Sequence, residues 1–138
     1  MSRPALKDIL EEYQLVEAED RYRLLIDLGH QLEPMPDALK TEATKVRGCS
    51  ASVWVYPTAH EGRLHFLADS NAAITKGIVA LILTAVQDKP AAEVAEMDVH
   101  EALAPFALRK HLSANRTQGV PNMIALVKQT AERYAAAV

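Results

Sequence analysis

Apolar positions recur at helical spacing over most of the chain and switch to strand spacing once, near its middle. Ile9, Leu10 and Tyr13 give one apolar side to a short first helix, which Ser2 and Pro4 open with proline in its first turn. A longer helix is predicted over 17–28. Acidic residues fill its first turn, which suits the helix dipole. Tyr22, Leu25, Ile26 and Leu28 form its stripe, with Gly29 as the stop. Pro34-Met35-Pro36 breaks the chain, and residues 37–42 make one more turn or two. The period then changes. Residues 50–56 are rich in β-branched and aromatic side chains and read as a strand. Residues 57–62 are of turn-forming type, and 63–68 form a second strand with Leu64, Phe66 and Ala68 on one face. A hairpin is therefore predicted.

Asp69-Ser70-Asn71 supplies three N-cap candidates for a helix over 72–86. Ile74, Ile78, Leu81, Ile82 and Ala85 line one side of it, but Val79, Leu83 and Val86 lie outside that stripe. A helix this apolar around its surface belongs in the core, packed on the hairpin. Its N-terminus favours anionic groups; sequence leaves open which end of the sheet it meets. Lys89-Pro90 ends it, and 90–97 reads as a short helix. Asp98 with Glu101 forms an acidic capping box, and Pro105 limits the helix it opens to a turn or two. Residues 113–119 are polar and loop-like. A last helix runs over 121–136 with Ile124, Val127, Ala131 and Tyr134 as its buried stripe.

Composition narrows the classes. A chain of 138 residues, 49% hydrophobic, suits one domain over 1–138 with a substantial core. A formal net charge of −3 carries no polyanion-binding footprint, which argues against nucleic acid as a partner. One cysteine excludes an internal disulfide and a multi-cysteine zinc or iron–sulfur site within one chain. His60 and His65 have no metal-ligand partner at helical or strand spacing and read as surface or satisfied histidines, so no metal site is expected. The N-terminus has no apolar signal core. The longest aliphatic run, residues 78–83, is far short of the roughly 20 residues that span a membrane. A soluble protein of the reducing cytoplasm is expected, with no membrane partner.

The change of period falls on Lys45-Val46-Arg47-Gly48-Cys49-Ser50-Ala51-Ser52-Val53-Trp54-Val55, which holds the one cysteine and the one tryptophan. Gly48 takes backbone angles closed to other residues and lets other groups come close. A free thiol with a pKa of about 8.5 is only a few per cent thiolate at neutral pH. Lys45 and Arg47 are cations that favour the thiolate, and one unit of lowering takes about 1.4 kcal/mol. The bland alternative is a small buried hydrophobe. The residues alone leave both readings open.

Gly48-Cys49-Ser50-Ala51-Ser52-Val53-Trp54 resembles the signature of the SufE-type sulfur-acceptor proteins, roughly G-C-x-S-x-V-W. Asp20-Arg21-Tyr22 to Leu28-Gly29 resembles the family's first long helix. Ala68-Asp69-Ser70-Asn71-Ala72-Ala73-Ile74-Thr75-Lys76-Gly77 resembles its A-D-S-x-A-x-I-x-x-G segment. His111-Leu112-Ser113-Ala114-Asn115-Arg116-Thr117-Gln118-Gly119-Val120 resembles its L-S-x-x-R-x-N/Q-G segment. Matched blocks in the right order are more specific than any one of them. Two departures stand out. Phe106-Ala107-Leu108 replaces a Leu-Gly-Leu-like run, and Ala104 stands where some members carry an acidic residue, which bears on pairing with a given desulfurase.

The resemblance implies an α/β (α+β) fold, a small antiparallel sheet packed with helices, similar to the U-type iron–sulfur scaffold proteins. It implies a sulfur acceptor and activator for a cysteine desulfurase of the SufS or CsdA type, rather than an independent enzyme. Cys49 would take sulfane sulfur as a persulfide and pass it to a scaffold for iron–sulfur cluster assembly. Pyridoxal phosphate would belong to the desulfurase, and this chain would hold no cofactor of its own. Arg47 would flank the thiol and Gly48 would serve as a hinge. Asp69 and Ser70 would hold the resting loop, or only cap the following helix. Arg116 would stabilise a sulfur anion or meet an acidic partner surface, or only bond a helix C-terminus. Two other classes remain. One is an interaction module with a structural cysteine. The other is a cysteine-nucleophile hydrolase, which needs a base such as His30, His60, His65, His100 or His111 within reach of Cys49.

Overall fold

A computed structural model of the chain describes residues 5–48, 51–108 and 119–137. In chain order it contains α1 (Leu6–Leu15), α2 (Ala18–His30), a 3-10 turn (Asp37–Leu39), β1 (Val53–His60) and β2 (Arg63–Ser70). Then come α3 (Ala73–Val86), α4 (Ala91–Glu96), α5 (Val99–Leu103), a 3-10 turn (Ala104–Phe106) and α6 (Gly119–Ala136). The architecture is α+β, with helices packed on an antiparallel hairpin.

The hairpin is longer than its sequence pattern. β1 runs on through the predicted loop to His60, and only Glu61 and Gly62 turn the chain, with φ of 52° and 79°. Pro57 lies inside β1, opposite Phe66. It is tolerated because Phe66 spends its own N–H and C=O on the Gln87 side chain, at 2.7 and 2.8 Å, on the far edge of β2. Pro57 thus occupies a non-hydrogen-bonded position, where a missing N–H costs the ladder nothing. Each outer edge is also covered. Val46 N–H donates to Val53 O and Val55 N–H to Thr44 O, both at 2.8 Å. Leu64 N–H donates to Lys89 O at 2.9 Å.

Alternation puts Val53, Val55, Leu64, Phe66 and Ala68 on the inner face, all buried. α3 lies against that face as the central helix and is buried nearly all round. Its other side meets α2 through a glycine contact. A Cβ on Gly77 would overlap the backbone carbonyl of Leu25, and one on Gly29 would press on the Gly77 nitrogen. Gly29 is the penultimate residue of α2, which ends at His30, so the helix runs slightly past the expected stop. α6 packs on α4 and α5, burying Met123, Ile124, Val127 and Ala131. Tyr13 of α1 donates from its hydroxyl to Phe106 O at 2.6 Å and tilts against the Phe106 ring.

Two capping expectations fare differently. Asp98 accepts from Glu101 N–H at 3.0 Å at the head of α5, as its spacing predicts. None of Asp69, Ser70 and Asn71 occupies the N-cap of α3. That position is Ala72, with no side-chain cap, because β2 extends through Ser70 and draws these side chains into other bonds. Ser2 and Pro4, expected to open the first helix, and Ser50, expected to open the first strand, lie outside the described residues.

Candidate functional site

Cys49 and Arg116 lie outside the described residues, so the site is defined by its borders. The register pairs Val53 with Ser70, so β1 begins where β2 ends. The chain leaving Cys49 enters the sheet at that end, which is also where α3 starts. Two asparagines hold the borders. Upstream, the Asn122 side-chain amide, from the first turn of α6, donates to Arg47 O at 2.9 Å. Gly48 beside it has φ of 83°, and a Cβ there would overlap the same amide. Its left-handed angle and missing side chain are both needed. Downstream, Ser52 N–H donates to Asn71 Oδ1 at 3.1 Å, and Asn71 N–H returns a bond to Ser52 O at 3.2 Å.

Asp69 faces the opposite side of the hairpin from the core. Its carboxylate meets Lys40 at 2.8 Å, Lys76 at 3.2 Å and the Ser70 N–H at 2.8 Å. Burial pushes the Asp69 carboxyl up, but the bonds from Lys40, Ser70 N–H and Lys76 outweigh it and hold the pKa below the usual value. Bonds to Asp69 and Asp37 in turn hold the Lys40 ammonium above its ordinary value. Lys40 also lies 5.8 Å from the centre of the Trp54 ring. The group ties the strand 69–70 to the segment that leads into Lys45 and Arg47. Ser70 accepts from Ala72 N–H at 3.2 Å, a turn that redirects the chain into α3.

Lys45, Arg47 and Gly48 line an open groove of about 660 Å³ with Glu42, Val46 and Asn122. Neither cation is ion-paired to another described residue. Two cations and one carboxylate, Glu42, thus line the groove beside Gly48. Of the expected site residues, Arg47 and Gly48 thus share one wall, while Asp69 and Ser70 sit on the adjoining strand. His60 and His65 lie in the turn half of the hairpin, away from its Val53–Ser70 end. Sequence reasoning passed over Asn122 and Lys40, which carry no local signal. It read Asn71 only as a cap candidate.

Residues 7–131 match the family described as "SufE: Fe-S metabolism associated domain". The chain is 43% identical over 107 residues to the sulfur acceptor protein CsdE of Escherichia coli K12, covering 77% of this chain and 73% of that one. It is 35% identical over 133 residues to an uncharacterized SufE-like protein of Rhizobium meliloti, covering 93% and 95%. A solution structure of a hypothetical protein from Thermus thermophilus has the same fold, with a TM-score of 0.77 at 17% identity over 99% of each chain.

Proposed function

The chain belongs to the SufE family, and on that footing we propose that Cys49 accepts sulfane sulfur from a pyridoxal-phosphate cysteine desulfurase and thereby activates it. The Cys49 thiolate attacks the outer sulfur of a persulfide carried on the desulfurase cysteine. The existing S–S bond breaks, its electron pair leaves with the desulfurase thiolate, and a new S–S bond forms on Cys49. The product is a Cys49 persulfide, which a downstream scaffold consumes in iron–sulfur cluster assembly in the cytoplasm. Pyridoxal phosphate works on the partner. The step is analogous to thiol–disulfide exchange, so thiolate fraction, leaving-group pKa and access govern its rate.

The observation that carries this reading is the identity to a protein named as a sulfur acceptor. Two features support it. A chain with one cysteine has no second thiol to attack its own persulfide and release the sulfur as sulfide. Lys45 and Arg47, exposed and without an ion pair to another described residue, precede Cys49 closely in the chain, and such cations would favour the thiolate and suit an acidic partner surface. By the family resemblance, Arg116 is proposed to add a further cation that meets such a surface or stabilises a sulfur anion.

Intact mass after incubation with a cysteine desulfurase and cysteine, without reductant, tests the reading. Wild type gains the mass of one sulfur atom, and Cys49→Ser gains none. No gain on wild type with a desulfurase of either type would overturn it.

A further inference from the structure

We propose that residues 33–40 form a strap across the outer face of the hairpin, and that its end at Glu33 is latched only while His65 carries a proton. The strap involves neither Cys49 nor a partner. Leu64, Phe66 and Ala68 point into the core, so His65, Leu67 and Asp69 point out of it. Both ends of the segment fasten to that outward row. Glu33 Oε1 lies 2.8 Å from His65 Nε2. Lys40 Nζ lies 2.8 Å from Asp69 Oδ2 and 5.8 Å from the centre of the Trp54 ring. His65 and Asp69 are about 13 Å apart along an extended strand, a distance that residues 33–40 span with a 3-10 turn included. Of residues 33–40, Met35 alone is buried, at 6% exposure, while Pro34 and Pro36 beside it are exposed. Among the described residues, the core cluster around α3 does not contain it. Met35 is thus held under the strap, between its two attachments.

The two attachments differ in what holds them. Lys40 is an ammonium with two carboxylate partners, Asp69 and Asp37, and stays charged throughout the neutral range. His65 is a single ring between two carboxylates, Asp88 at Nδ1 and Glu33 at Nε2, at 2.7 and 2.8 Å. Only the imidazolium has an N–H on each side. The neutral ring has one, and its other nitrogen turns a lone pair towards a carboxylate oxygen. Asp88 keeps the remaining N–H, because its backbone is bonded to Leu64 O at 2.8 Å and to the Arg63 guanidinium at 3.1 Å, both on β2. Glu33 sits in the strap itself, so deprotonation detaches the strap there and leaves it fastened at Lys40. The same face carries Arg63 on β2, and Tyr56 and His60 on β1. His60 lies 3.9 Å from Glu61. Burial lowers the His65 pKa and the two carboxylates raise it by more, so release falls above the unperturbed value of about 6.5.

Met35 reports the latch. Hydrogen peroxide converts an accessible methionine to its sulfoxide, and the thioether does not titrate. The rate at Met35 is read by peptide mass mapping near pH 6 and near pH 9, in a Cys49→Ser background that removes the competing thiol. Met123, 2% exposed in α6, is the reference for opening of the whole molecule. A half-exposed ion pair corresponds to a change of up to about fivefold in an equilibrium. Met35 should therefore oxidise about fivefold faster near pH 9 than near pH 6, while Met123 keeps one rate. Two variants should remove the pH dependence in opposite senses. His65→Gln offers one amide nitrogen, cannot serve both carboxylates, and should leave Met35 fast at both pH values. Glu33→Gln bonds either form of the ring, donating to the neutral one and accepting from the charged one, and should leave Met35 slow at both. His60 is unchanged in both variants, so a response of its own would persist there. An equal Met35 rate at the two pH values, a parallel rise at Met123, or a pH dependence that survives in both variants would overturn the latch.

Discussion

Ala107 sits at φ 49° and ψ 50°, a left-handed conformation just after the 3-10 turn that ends at Phe106. An L-residue in this region costs about 1–2 kcal/mol that glycine does not. Glycine gives back roughly 0.4–1 kcal/mol through its freer unfolded chain. Ala107 is exposed, so its methyl group packs little. The balance favours glycine, and Ala107→Gly should raise the melting temperature by a few degrees; a fall would mean that the methyl contacts outweigh the strain. Glycine adopts that angle without strain. Other residues were less legible. Asp69 and Asn71 look like helix caps because aspartate and asparagine prefer such positions. Which backbone group or lysine each one meets depends on Lys40 and Ser52, distant in the chain.

Among the elements, the α2–α3 contact decides more than any local pattern. Gly77 lies in the middle of an apolar helix, where alanine would gain about 1 kcal/mol of helix propensity. The added Cβ would instead meet the Leu25 backbone, which cannot rotate away. Overpacking of this kind costs about 1–3 kcal/mol. Gly77→Ala should therefore lower the melting temperature despite its better propensity. A higher temperature would show that the helices separate without penalty. The same contact requires a glycine at Gly29, near the end of α2. Its role is closeness to a neighbour, which a one-helix pattern does not contain. The hairpin was legible in its inner face, where Leu64, Phe66 and Ala68 alternate as expected. Its length was not, because Pro57 and its polar neighbours look like a turn until Gln87 takes the Phe66 backbone bonds.

At the scale of the molecule, His65 joins three distant segments. Its Nδ1 lies 2.7 Å from Asp88 after α3, and its Nε2 lies 2.8 Å from Glu33 after α2. Partial burial pulls the imidazole pKa down, but the hydrogen bonds and charges of Asp88 and Glu33 outweigh it and leave the pKa raised. A raised folded value means that protonation favours the folded state. The contribution is fully present below the unfolded value of about 6.5 and is lost as pH rises through the higher folded pKa. The melting-temperature gap between wild type and His65→Gln should therefore be widest near pH 6 and shrink towards pH 9. A gap independent of pH would show that the imidazolium is not what joins these segments. His65 is thus a satisfied histidine, as its spacing suggested, though its partners come from 32 and 23 positions away.

Sequence by itself determined the order of helices and hairpin, the inner faces, the burial of α3 and the family, because periodicity and short motifs are local properties. Membership followed from matched blocks around Cys49 and along the chain. Only the tertiary structure decided that α3 starts at the Cys49 end of the sheet, that Lys40 and Lys76 converge on Asp69, and that Asn71 and Asn122 hold the two borders of the loop. Each of these joins groups far apart in the chain, and the energy of such a contact exists only once packing has brought its two sides together.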